Sequence, residues 1–420
     1  MAKVKIYPGA LSGIVNVPSS KSMGHREIIC AALAQDISVI DNISMSDDIM
    51  ATLRCLKALG VQSELTASRF KGRSAVKIYG EGTVKATGDE CDCGESGVLP
   101  CAFCCLFGAL CGAPVTFTGA GRLGERPLKP YYDIFDIQGV KYAPAQGLPV
   151  TVEGRLRSGK LTLPGNVSSQ FISGLLFALP PLEGDSEIII TTPLESQSYV
   201  DLTLAALKKY GIKVINNNYK TFTVPGGQKY QCRNAVVEGD WSQAAFWLAA
   251  GCLNGNVICA GAEAASLQGD RAVKDILQAM GGKISAADGG LLAETSRLHG
   301  TVIDAADCPD IIPVLTVAAA AAEGTTEIIN AGRLRIKECD RLHAISEELN
   351  KLGADIEEKA ESLIVHGKPE GLRGGVVSAW NDHRIAMSMA VASLVCREPV
   401  IIEGSESVKK SYPTFWQDFP

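Results

Sequence analysis

Polar and basic residues stand together where the first and last of six buried helices are predicted to begin in this 420-residue sequence. The first of these starts reads Ser19-Ser20-Lys21-Ser22 with Arg26 one turn later, and the last reads Asn381-Asp382-His383-Arg384. A helix start presents unbonded N–H groups and partial positive charge, so added cations are unfavourable there unless an anion lies between them. The pattern predicts a pocket for a small polyanion.

Carboxylates stand at two further places, and at one of them they lie beside cations. Asp310 follows Pro309 at one predicted helix start, and residues 337–341 read Lys-Glu-Cys-Asp-Arg. Such mixtures suit general acid–base chemistry on a bound phosphate or carboxylate. A charged surface turn explains residues 337–341 equally well when they are taken alone. His383, between Asp382 and Arg384, is a better functional candidate than the isolated histidines elsewhere.

Several classes of function find no support in the sequence. It contains no phosphate-binding Gly-x-x-x-x-Gly-Lys-Ser/Thr loop, no Gly-x-Gly-x-x-Gly after a predicted strand and no His-Glu-x-x-His. A hydrophobic fraction of 46% excludes intrinsic disorder. The net charge of −6 argues against a broad nucleic-acid-binding surface.

Fourteen cysteines, without a visible signal peptide, predict reduced thiols and a cytoplasmic protein. Six of them lie within residues 91–111. Cys101, Cys104 and Cys105 have helical spacing inside an apolar run, which favours small packing residues over metal ligands. The uncharged stretch 98–117 is broken by glycine and proline and predicts a buried helix and strand, with no membrane span.

Two patterns repeat about every seventy residues and predict the architecture. One is an amphipathic helix that ends in glycine, at Gly60, Gly211, Gly281 and Gly353, with a weaker copy at Gly139. The other is an apolar helix that runs into a β-branched strand. Its copies are Ile28–Ile40, Ala102–Phe117, Phe171–Ile190, Ala244–Ile258, Val314–Ile329 and Ile385–Ile402.

Six copies of one α/β unit predict two domains of three units each. The leading strand, within residues 3–18, is left over and is expected to pair with the C-terminal half. We therefore predict one domain from residues 1–19 with 238–420, and a second from residues 20–237.

Together and in order, the motifs resemble the 5-enolpyruvylshikimate-3-phosphate synthase family over the whole chain. The motifs that carry the resemblance are Ser20-Lys21-Ser22 with Arg26, Glu125-Arg126-Pro127, Ser168-Ser169-Gln170-Phe171, Lys337-Glu338-x-Asp340-Arg341, Asn381-Asp382-His383-Arg384 and Lys410-x-x-Pro413. The resemblance implies an α/β fold, a two-domain inside-out α/β barrel. Each domain would hold three βαβαββ repeats, with helix N-termini facing the interdomain cleft.

The resemblance also implies a reaction of aromatic amino-acid biosynthesis. The enolpyruvyl group of phosphoenolpyruvate would pass to the 5-hydroxyl of shikimate 3-phosphate by addition–elimination, releasing phosphate. No cofactor, metal, nucleic acid or membrane is implied, and a monomer is expected.

Residue roles follow from the same resemblance, motif by motif. The implied catalytic residues are Lys21, Asp310, Glu338 and His383. Shikimate 3-phosphate would contact Ser22, Arg26, Ser168, Ser169, Gln170, Ser196, Tyr199 and Lys337. Phosphoenolpyruvate would contact Lys21, Gly97, Arg126, Gln170, Arg341, Arg384 and Lys410.

One segment departs from the family pattern, which usually reads Gly-Asn-(Ala/Ser)-Gly-Thr-x-x-Arg. Here Glu95, Val98 and Cys101 replace the Asn, Thr and Arg. A carboxylate is gained and a cation lost near the implied phosphoenolpyruvate pocket, and Arg333 is a candidate to restore one charge. We therefore hypothesise weakened or altered phosphoenolpyruvate binding on an intact fold.

Three other readings compete with this one. The related transferase acting on UDP-N-acetylglucosamine carries Asn after its lysine and a loop cysteine, whereas this chain has Ser22 and no cysteine in residues 119–127. A non-catalytic, metabolite-binding descendant is suggested by the altered segment. Such a protein would need no base opposite an acid, so the presence of Asp310, Glu338 and Lys21 argues against this reading. An RNA-end-processing enzyme would need a wider basic surface.

Overall fold

The computed structural model describes residues 1–96, 107–144 and 147–419. The chain forms two compact units, each with its own hydrophobic core. The split unit comprises Met1–Pro18 and Glu238–Pro420, and the continuous unit comprises Ser19–Val237. The split unit opens with strands β1 (Lys3–Ile6) and β2 (Leu11–Asn16).

The continuous unit alternates helices and strands, numbered along the chain. Its helices are α1 (Lys21–Leu33), α2 (Asp47–Ala58), α3 (described over 107–111), α4 (Lys129–Gln138), α5 (Ser169–Ala178) and α6 (Gln197–Lys209). Its strands are β3 (Ala34–Ile43), β4 (Gln62–Ala67), β5 (Ser74–Glu81), β6 (Cys91–Asp92), β7 (Val115–Thr118), β8 (Lys141–Ala143), β9 (Val150–Glu153), β10 (Lys160–Leu163), β11 (Ser186–Ile190), β12 (Ile215–Asn217), β13 (Thr221–Val224), β14 (Tyr230–Gln231) and β15 (Ala235–Val236).

The split unit continues in the same manner after residue 238. Its helices are α7 (Trp241–Asn254), α8 (Ala272–Ala279), α9 (Ile312–Ala320), α10 (Arg341–Lys351), α11 (His383–Ala392) and α12 (Phe415–Asp418). Its further strands are β16 (Gly255–Ala260), β17 (Lys283–Ala287), β18 (Gly290–Glu294), β19 (Val302–Asp304), β20 (Thr325–Ile329), β21 (Ile356–Glu358), β22 (Leu363–His366), β23 (Gly375–Ser378) and β24 (Val400–Glu403).

The predicted helix-to-strand repeats are confirmed wherever the structure describes them completely. The pairs are α1–β3, α5–β11, α7–β16, α9–β20 and α11–β24. The copy at Ala102–Phe117 lies partly outside the described residues, which hold α3 and β7. Every residue of α9 is buried, including its one polar residue, Thr316, whose hydroxyl donates to the Ile312 carbonyl.

The glycine-ended helices are confirmed as well. Gly139 caps α4 in the left-handed region with φ 71°, and Gly353 follows α10 with φ 91°. This conformation turns the chain sharply out of a helix at little steric cost only for glycine. The amphipathic helices therefore end where the repeat predicts.

Each described sheet combines a parallel strand pair with antiparallel neighbours. The strand orders are β14-β3-β5-β4 with β15 also on β3, β6-β7-β9-β8, β10-β11-β13-β12, β17-β18-β16-β2, β19-β20-β22-β21 and β1-β24-β23. In four of the parallel pairs, one strand directly precedes the buried helix of its own repeat. In the other two sheets, β2 or β14 and β15 lie where that strand would be. The helix starts therefore occur at corresponding points of successive repeats.

Three of these sheets take a strand from a distant part of the sequence. In one of them β1 pairs antiparallel with β24, with Lys3 opposite Glu403. β2 runs parallel to β16, with Leu11 opposite Gly255 and Asn16 opposite Ala260. In the continuous unit, β14 and β15 run parallel to β3. The leading strands thus pair with the C-terminal half, as the repeat count predicts.

Within the described ranges, no helix is both long and apolar enough to cross a membrane.

Candidate active site

Asp310 is the centre of a cluster of charges in the split unit. It lies in a 3-10 turn, Pro309–Ile311, immediately before the buried helix α9. Its Oδ1 accepts from Arg341 Nη1 at 2.9 Å and lies 3.5 Å from Lys337 Nζ, and its Oδ2 accepts from Arg384 Nη2 at 2.9 Å. The side chain keeps 19% of its surface exposed, so the carboxylate is held by cations yet accessible.

Arg341 bridges three carboxylates at the start of α10. Besides Asp310, it donates from Nε to Asp382 at 2.8 Å and from Nη2 to Glu338 Oε2 at 2.6 Å. Burial works against its charge, but Asp382, Glu338 and Asp310 together outweigh burial and hold the pKa of Arg341 well above the ordinary value. The guanidinium is therefore a fixed positive charge with defined direction.

Asp382 joins the two arginines of the cluster. It is completely buried, and its Oδ1 caps α11 by accepting from the Arg384 N–H at 2.8 Å. The two preceding residues, Trp380 and Asn381, both have positive φ. Non-glycine residues in this conformation need support from their surroundings, and Lys410 donates to the Asn381 carbonyl at 2.6 Å.

The remaining predicted residues of the split unit lie around this cluster. Burial is the main cause that lowers the pKa of Lys337, with Arg333 and Arg341 adding to it against the pull of Asp310. The Glu338 side chain is 13% exposed. His383 is buried, with Nδ1 3.9 Å from Asp382 Oδ1. The structure thus brings Asp310, Glu338, Lys337, Arg341 and Arg384 together.

One buried carboxyl near the cluster is not among the site residues predicted from the sequence. Asp270 lies in the 3-10 turn Gly269–Arg271 and is 6% exposed. The sequence Gln-Gly-Asp-Arg is typical of a solvated turn, and nothing local reveals burial. One signal could have pointed to Asp270: it lies in the turn that follows the strand of the fourth repeat. Residues 196–199, which include two predicted site residues, lie in the corresponding turn of the third repeat.

In the continuous unit, the start of α1 carries a lysine paired to a carboxylate. Ser20 caps the helix by accepting from the Met23 N–H at 3.3 Å. Lys21 Nζ contacts Asp48 Oδ2 at 2.6 Å, and 19% of its side-chain surface remains exposed. Lys21 can therefore exchange this partner for a ligand anion.

Arg26 is buried and holds α1 to the start of α6. It donates from Nε to Thr203 Oγ1 at 2.9 Å, from Nη1 to the Ser22 carbonyl at 2.8 Å and from Nη2 to the Tyr199 carbonyl at 2.9 Å. Burial lowers its pKa to about 10, which leaves it charged at neutral pH. Each nitrogen has an internal acceptor, so Arg26 fixes the backbone around Ser22 and Tyr199.

Hydroxyl and amide groups dominate the other helix starts of this unit. Ser168 caps α5 through the Gln170 N–H at 3.3 Å, and Ser169 is buried beside it. Oε1 of Gln170 is buried with no hydrogen-bond donor among the described residues. Ser196, at the start of α6, is buried with a positive φ of 53°.

The loop with Arg126 lies against the altered segment. Ala120 N–H donates to the Gly94 carbonyl at 2.7 Å, and a Cβ placed on Gly121 would lie 3.1 Å from Glu95 Oε2. Arg126 follows on the turn Gly121–Glu125 and lines a cavity of about 680 Å³. Gly97, Val98 and Cys101 lie outside the described residues.

The cysteines that the structure describes form no disulfide. Cys55 and Cys93 approach to 3.8 Å between sulfurs, and hydrogen bonding to Cys55 together with burial raises the pKa of Cys91. Buried thiols of raised pKa are unreactive. Within the described ranges no group of three or more His, Cys, Asp or Glu side chains has a metal-binding arrangement.

Comparison with known proteins adds an independent line of evidence. Residues 6–419 match the family model of EPSP synthase (3-phosphoshikimate 1-carboxyvinyltransferase). The 3-phosphoshikimate 1-carboxyvinyltransferase of Clostridium novyi (strain NT) is 49% identical, covering 100% of this chain and 97% of the relative. That of Clostridium acetobutylicum is 50% identical, covering 99% of this chain and 96% of the relative.

A solved structure is similar over the same length. The EPSP synthase of Acinetobacter baumannii superposes with a TM-score of 0.80 at 27% identity, covering 99% of this chain and 97% of that one.

Proposed function

The chain belongs to the EPSP synthase family, and from this premise we propose that it transfers the enolpyruvyl group of phosphoenolpyruvate to the 5-hydroxyl of shikimate 3-phosphate. The products are 5-enolpyruvylshikimate 3-phosphate and phosphate. Family membership rests on a match over residues 6–419. The observation that carries the chemistry is Asp310, an accessible carboxylate held by Arg341, Arg384 and Lys337.

Asp310 is proposed as the base for the attacking hydroxyl. The reaction forms a bond between the 5-oxygen and C2 of phosphoenolpyruvate, while the hydroxyl proton leaves and a proton adds to the methylene carbon. An ionised carboxylate with a lone pair directed to substrate can take the hydroxyl proton. The three cations fix the orientation of the Asp310 carboxylate.

Lys21 and Glu338 are proposed to handle the proton at the methylene carbon, with His383 in support. Addition gives a tetrahedral ketal phosphate that carries a methyl group. Elimination then removes a methyl proton and breaks the C–O bond to phosphate, restoring the enol ether. Lys21 as donor and Glu338 as acceptor supply the two directions of this transfer.

Substrate contacts are proposed from the motifs together with the local geometry. The proposed contacts to shikimate 3-phosphate are Ser22, Arg26, Ser168, Ser169, Gln170, Ser196, Tyr199 and Lys337. The proposed contacts to phosphoenolpyruvate are Lys21, Arg126, Gln170, Arg341, Arg384 and Lys410, with Gly97. Arginine pairs well with carboxylate and phosphate, which supports the second group. The internal bonds of Arg26 suggest that it acts by holding Ser22 and Tyr199 in place.

We also propose that the protein works in the cytoplasm as a monomer. The described cysteines carry no disulfide, which supports a reducing compartment. Light scattering on the purified protein, expected to give the mass of one 44.4 kDa chain, tests the oligomeric state.

The decisive experiment measures phosphate release from shikimate 3-phosphate and phosphoenolpyruvate, with each substrate omitted in turn and no metal added. Phosphate that appears only with both substrates supports the transfer. If none appears while calorimetry still detects shikimate 3-phosphate binding, the metabolite-binding descendant replaces the transferase. Curated relatives of about half identity carry the transferase name, which favours the first outcome.

A further inference from the structure

One buried carboxyl in the split unit has no place in the reaction described above. Asp270 is 6% exposed, and no group in the described part of the chain donates a hydrogen bond to its Oδ1. A carboxylate without donors is costly to bury, because its charge loses water without gaining a partner. A neutral carboxylic acid at the same place costs far less.

The turn that carries Asp270 is pinned in position. The Gln268 side chain accepts from the Trp241 N–H at 3.0 Å and donates to the Gly239 carbonyl at 2.8 Å and to Glu238 Oε1 at 2.9 Å. These bonds tie the turn Gly269–Arg271 to the start of α7. Asp270 therefore cannot easily swing its carboxyl out to solvent.

The charges around Asp270 are those of the proposed acid–base cluster. The turn packs against α7, against α8 and against the turn Pro309–Ile311. The negative charges of Asp310 and Asp240 lie close enough to raise its pKa, whereas Arg384 and Lys337 lower it. Burial is the largest cause, and the pKa of Asp270 rises to about 8.

Two neighbours of Asp270 do not supply compensating charge. Arg271, on the same turn, is exposed and donates to the Ala264 carbonyl. Cys308, beside the Asp310 turn, is a buried thiol whose own pKa is raised, chiefly by burial and then by Asp270. Arg384 and Lys337, the cations that lower the pKa of Asp270, also hold Asp310.

An ionised Asp270 would compete for these shared cations. Arg384 Nη2 lies 2.9 Å from Asp310 Oδ2, and Lys337 Nζ lies 3.5 Å from Asp310 Oδ1. A second carboxylate nearby would draw both away from Asp310, and two like charges in one buried site disfavour each other's ionisation.

We propose that Asp270 is a positioning residue of the acid–base site: its carboxyl keeps a proton while Asp310 is ionised, so that Arg384 and Lys337 remain directed at Asp310. The proton on Asp270 is not consumed in turnover, since the hydroxyl proton passes to Asp310. The catalytic consequence rests on the proposed function, whereas the protonation of Asp270 does not.

The first test replaces Asp270 with asparagine, which has the shape of the acid but no ionisable proton. Phosphate release by Asp270→Asn at pH 7 should stay within about twofold of wild type, because asparagine, like a protonated aspartic acid, adds no charge at position 270. Wild-type kcat should decline as pH passes through the pKa of about 8, and this decline should be absent from Asp270→Asn. A tenfold or greater loss of kcat in Asp270→Asn at pH 7 would show that the charged form is needed and would overturn the proposal.

The second test is independent of catalysis and follows thermal stability against pH. In the unfolded chain Asp270 ionises near 3.8, whereas in the folded chain it ionises near 8. Between these values the folded state retains a proton that the unfolded state has released, so raising the pH destabilises the wild type. Asp270→Asn should therefore melt progressively higher than wild type as the pH rises from about 4 to about 8.

Glu348 provides the matched control, because it is a fully buried carboxyl with good donors. It accepts from Trp380 Nε1, Lys351 Nζ and the Ser378 N–H. Glu348→Gln should lower the melting temperature at pH 7, whereas Asp270→Asn should raise it. A lower melting temperature in Asp270→Asn at pH 7 would overturn the protonated state. If wild type released no phosphate while Asp270→Asn still melted higher, protonation would stand and the proposed function would fail.

Discussion

The helix starts of the two units are capped by different residues. In the continuous unit the caps of α1, α2 and α5 are Ser20, Ser46 and Ser168, with oxygen-to-nitrogen distances of 3.3–3.4 Å. In the split unit the caps of α7, α10 and α11 are Asp240, Asp340 and Asp382, with distances of 2.8–3.1 Å.

This difference separates two ways of attracting an anion. An aspartate cap brings its own negative charge to the positive end of the helix, so little of the helix field remains for a ligand. Anion affinity in the split unit must therefore come from side chains such as Arg341 and Arg384. A serine cap is neutral, so α1 and α5, which have no acidic residue in their first turns, retain their attraction for a bound phosphate.

The largest effect should come from removing the carboxylate that the split-unit cations share. Asp310→Asn cannot accept the hydroxyl proton, and kcat should fall by about 10³-fold. Arg341 and Arg384 lose a competing partner at the same time, so phosphoenolpyruvate should bind more tightly in calorimetry. Asp304→Asn, an exposed aspartate on β19, is the control and should retain wild-type kcat. Unchanged turnover in Asp310→Asn would contradict the assigned base.

The next effect compares the loss of unfolding free energy on removing two aspartate caps, one buried in an ion pair and one partly exposed. Asp382→Ala removes the α11 cap and leaves Arg341 buried with one carboxylate fewer, which should lower the free energy of unfolding by about 3 kcal/mol. Asp340→Ala removes a cap whose side chain is 33% exposed and should cost only about 1 kcal/mol. If urea unfolding gave equal losses of unfolding free energy for the two variants, the ion pair of Asp382 would add nothing to the contribution of its cap.

A smaller effect is expected at the altered segment of the continuous unit. Glu95→Asn combined with Cys101→Arg restores the residues of the family pattern in this segment. The KM for phosphoenolpyruvate should fall about tenfold, because one charge-assisted hydrogen bond is gained and one repulsive charge lost. An unchanged KM would contradict the hypothesis that this segment weakens phosphoenolpyruvate binding.

The smallest effect tests a serine cap directly. Ser168→Ala should cost about 1 kcal/mol of unfolding free energy and raise the KM for shikimate 3-phosphate. Ser46→Ala removes the cap of α2 by the same change, with similar loss of stability and no change in that KM. If both variants raised the KM alike, the effect would come from helix stability and Ser168 would make no special contact.

The fold was largely predictable because its signals are local and repeated. Buried helices such as α9 have no polar face, and glycine at positions such as Gly139 and Gly353 marks the ends of amphipathic helices. Six copies of one pattern reinforce one another where a single copy would be ambiguous. The pairing of the leading strands with the C-terminal half was predictable because the six repeats left the leading segment without a partner of its own.

The side-chain partners within the site were less predictable, since they depend on contacts between distant segments. The motif marks Arg26, but not that its guanidinium bonds to Thr203 and to the Tyr199 carbonyl, more than 170 residues away. The sequence around Asp270 does not reveal its burial, which is decided by the tertiary packing around it. Residue type therefore predicts the chemistry available, and packing decides which charges are used.

The distant strands have a consequence for the order in which the protein can be made. β2 cannot pair with β16 until residues 255–260 have been synthesised, so the leading segment must wait while more than 230 residues follow it. The continuous unit ends at residue 237, and none of its described strands pairs with later sequence. At about 5–20 residues per second, the ribosome therefore holds an unpaired N-terminal strand for tens of seconds or less. During this interval the leading strand is exposed to pairing with other edges, and a slow codon before residue 255 would prolong the exposure.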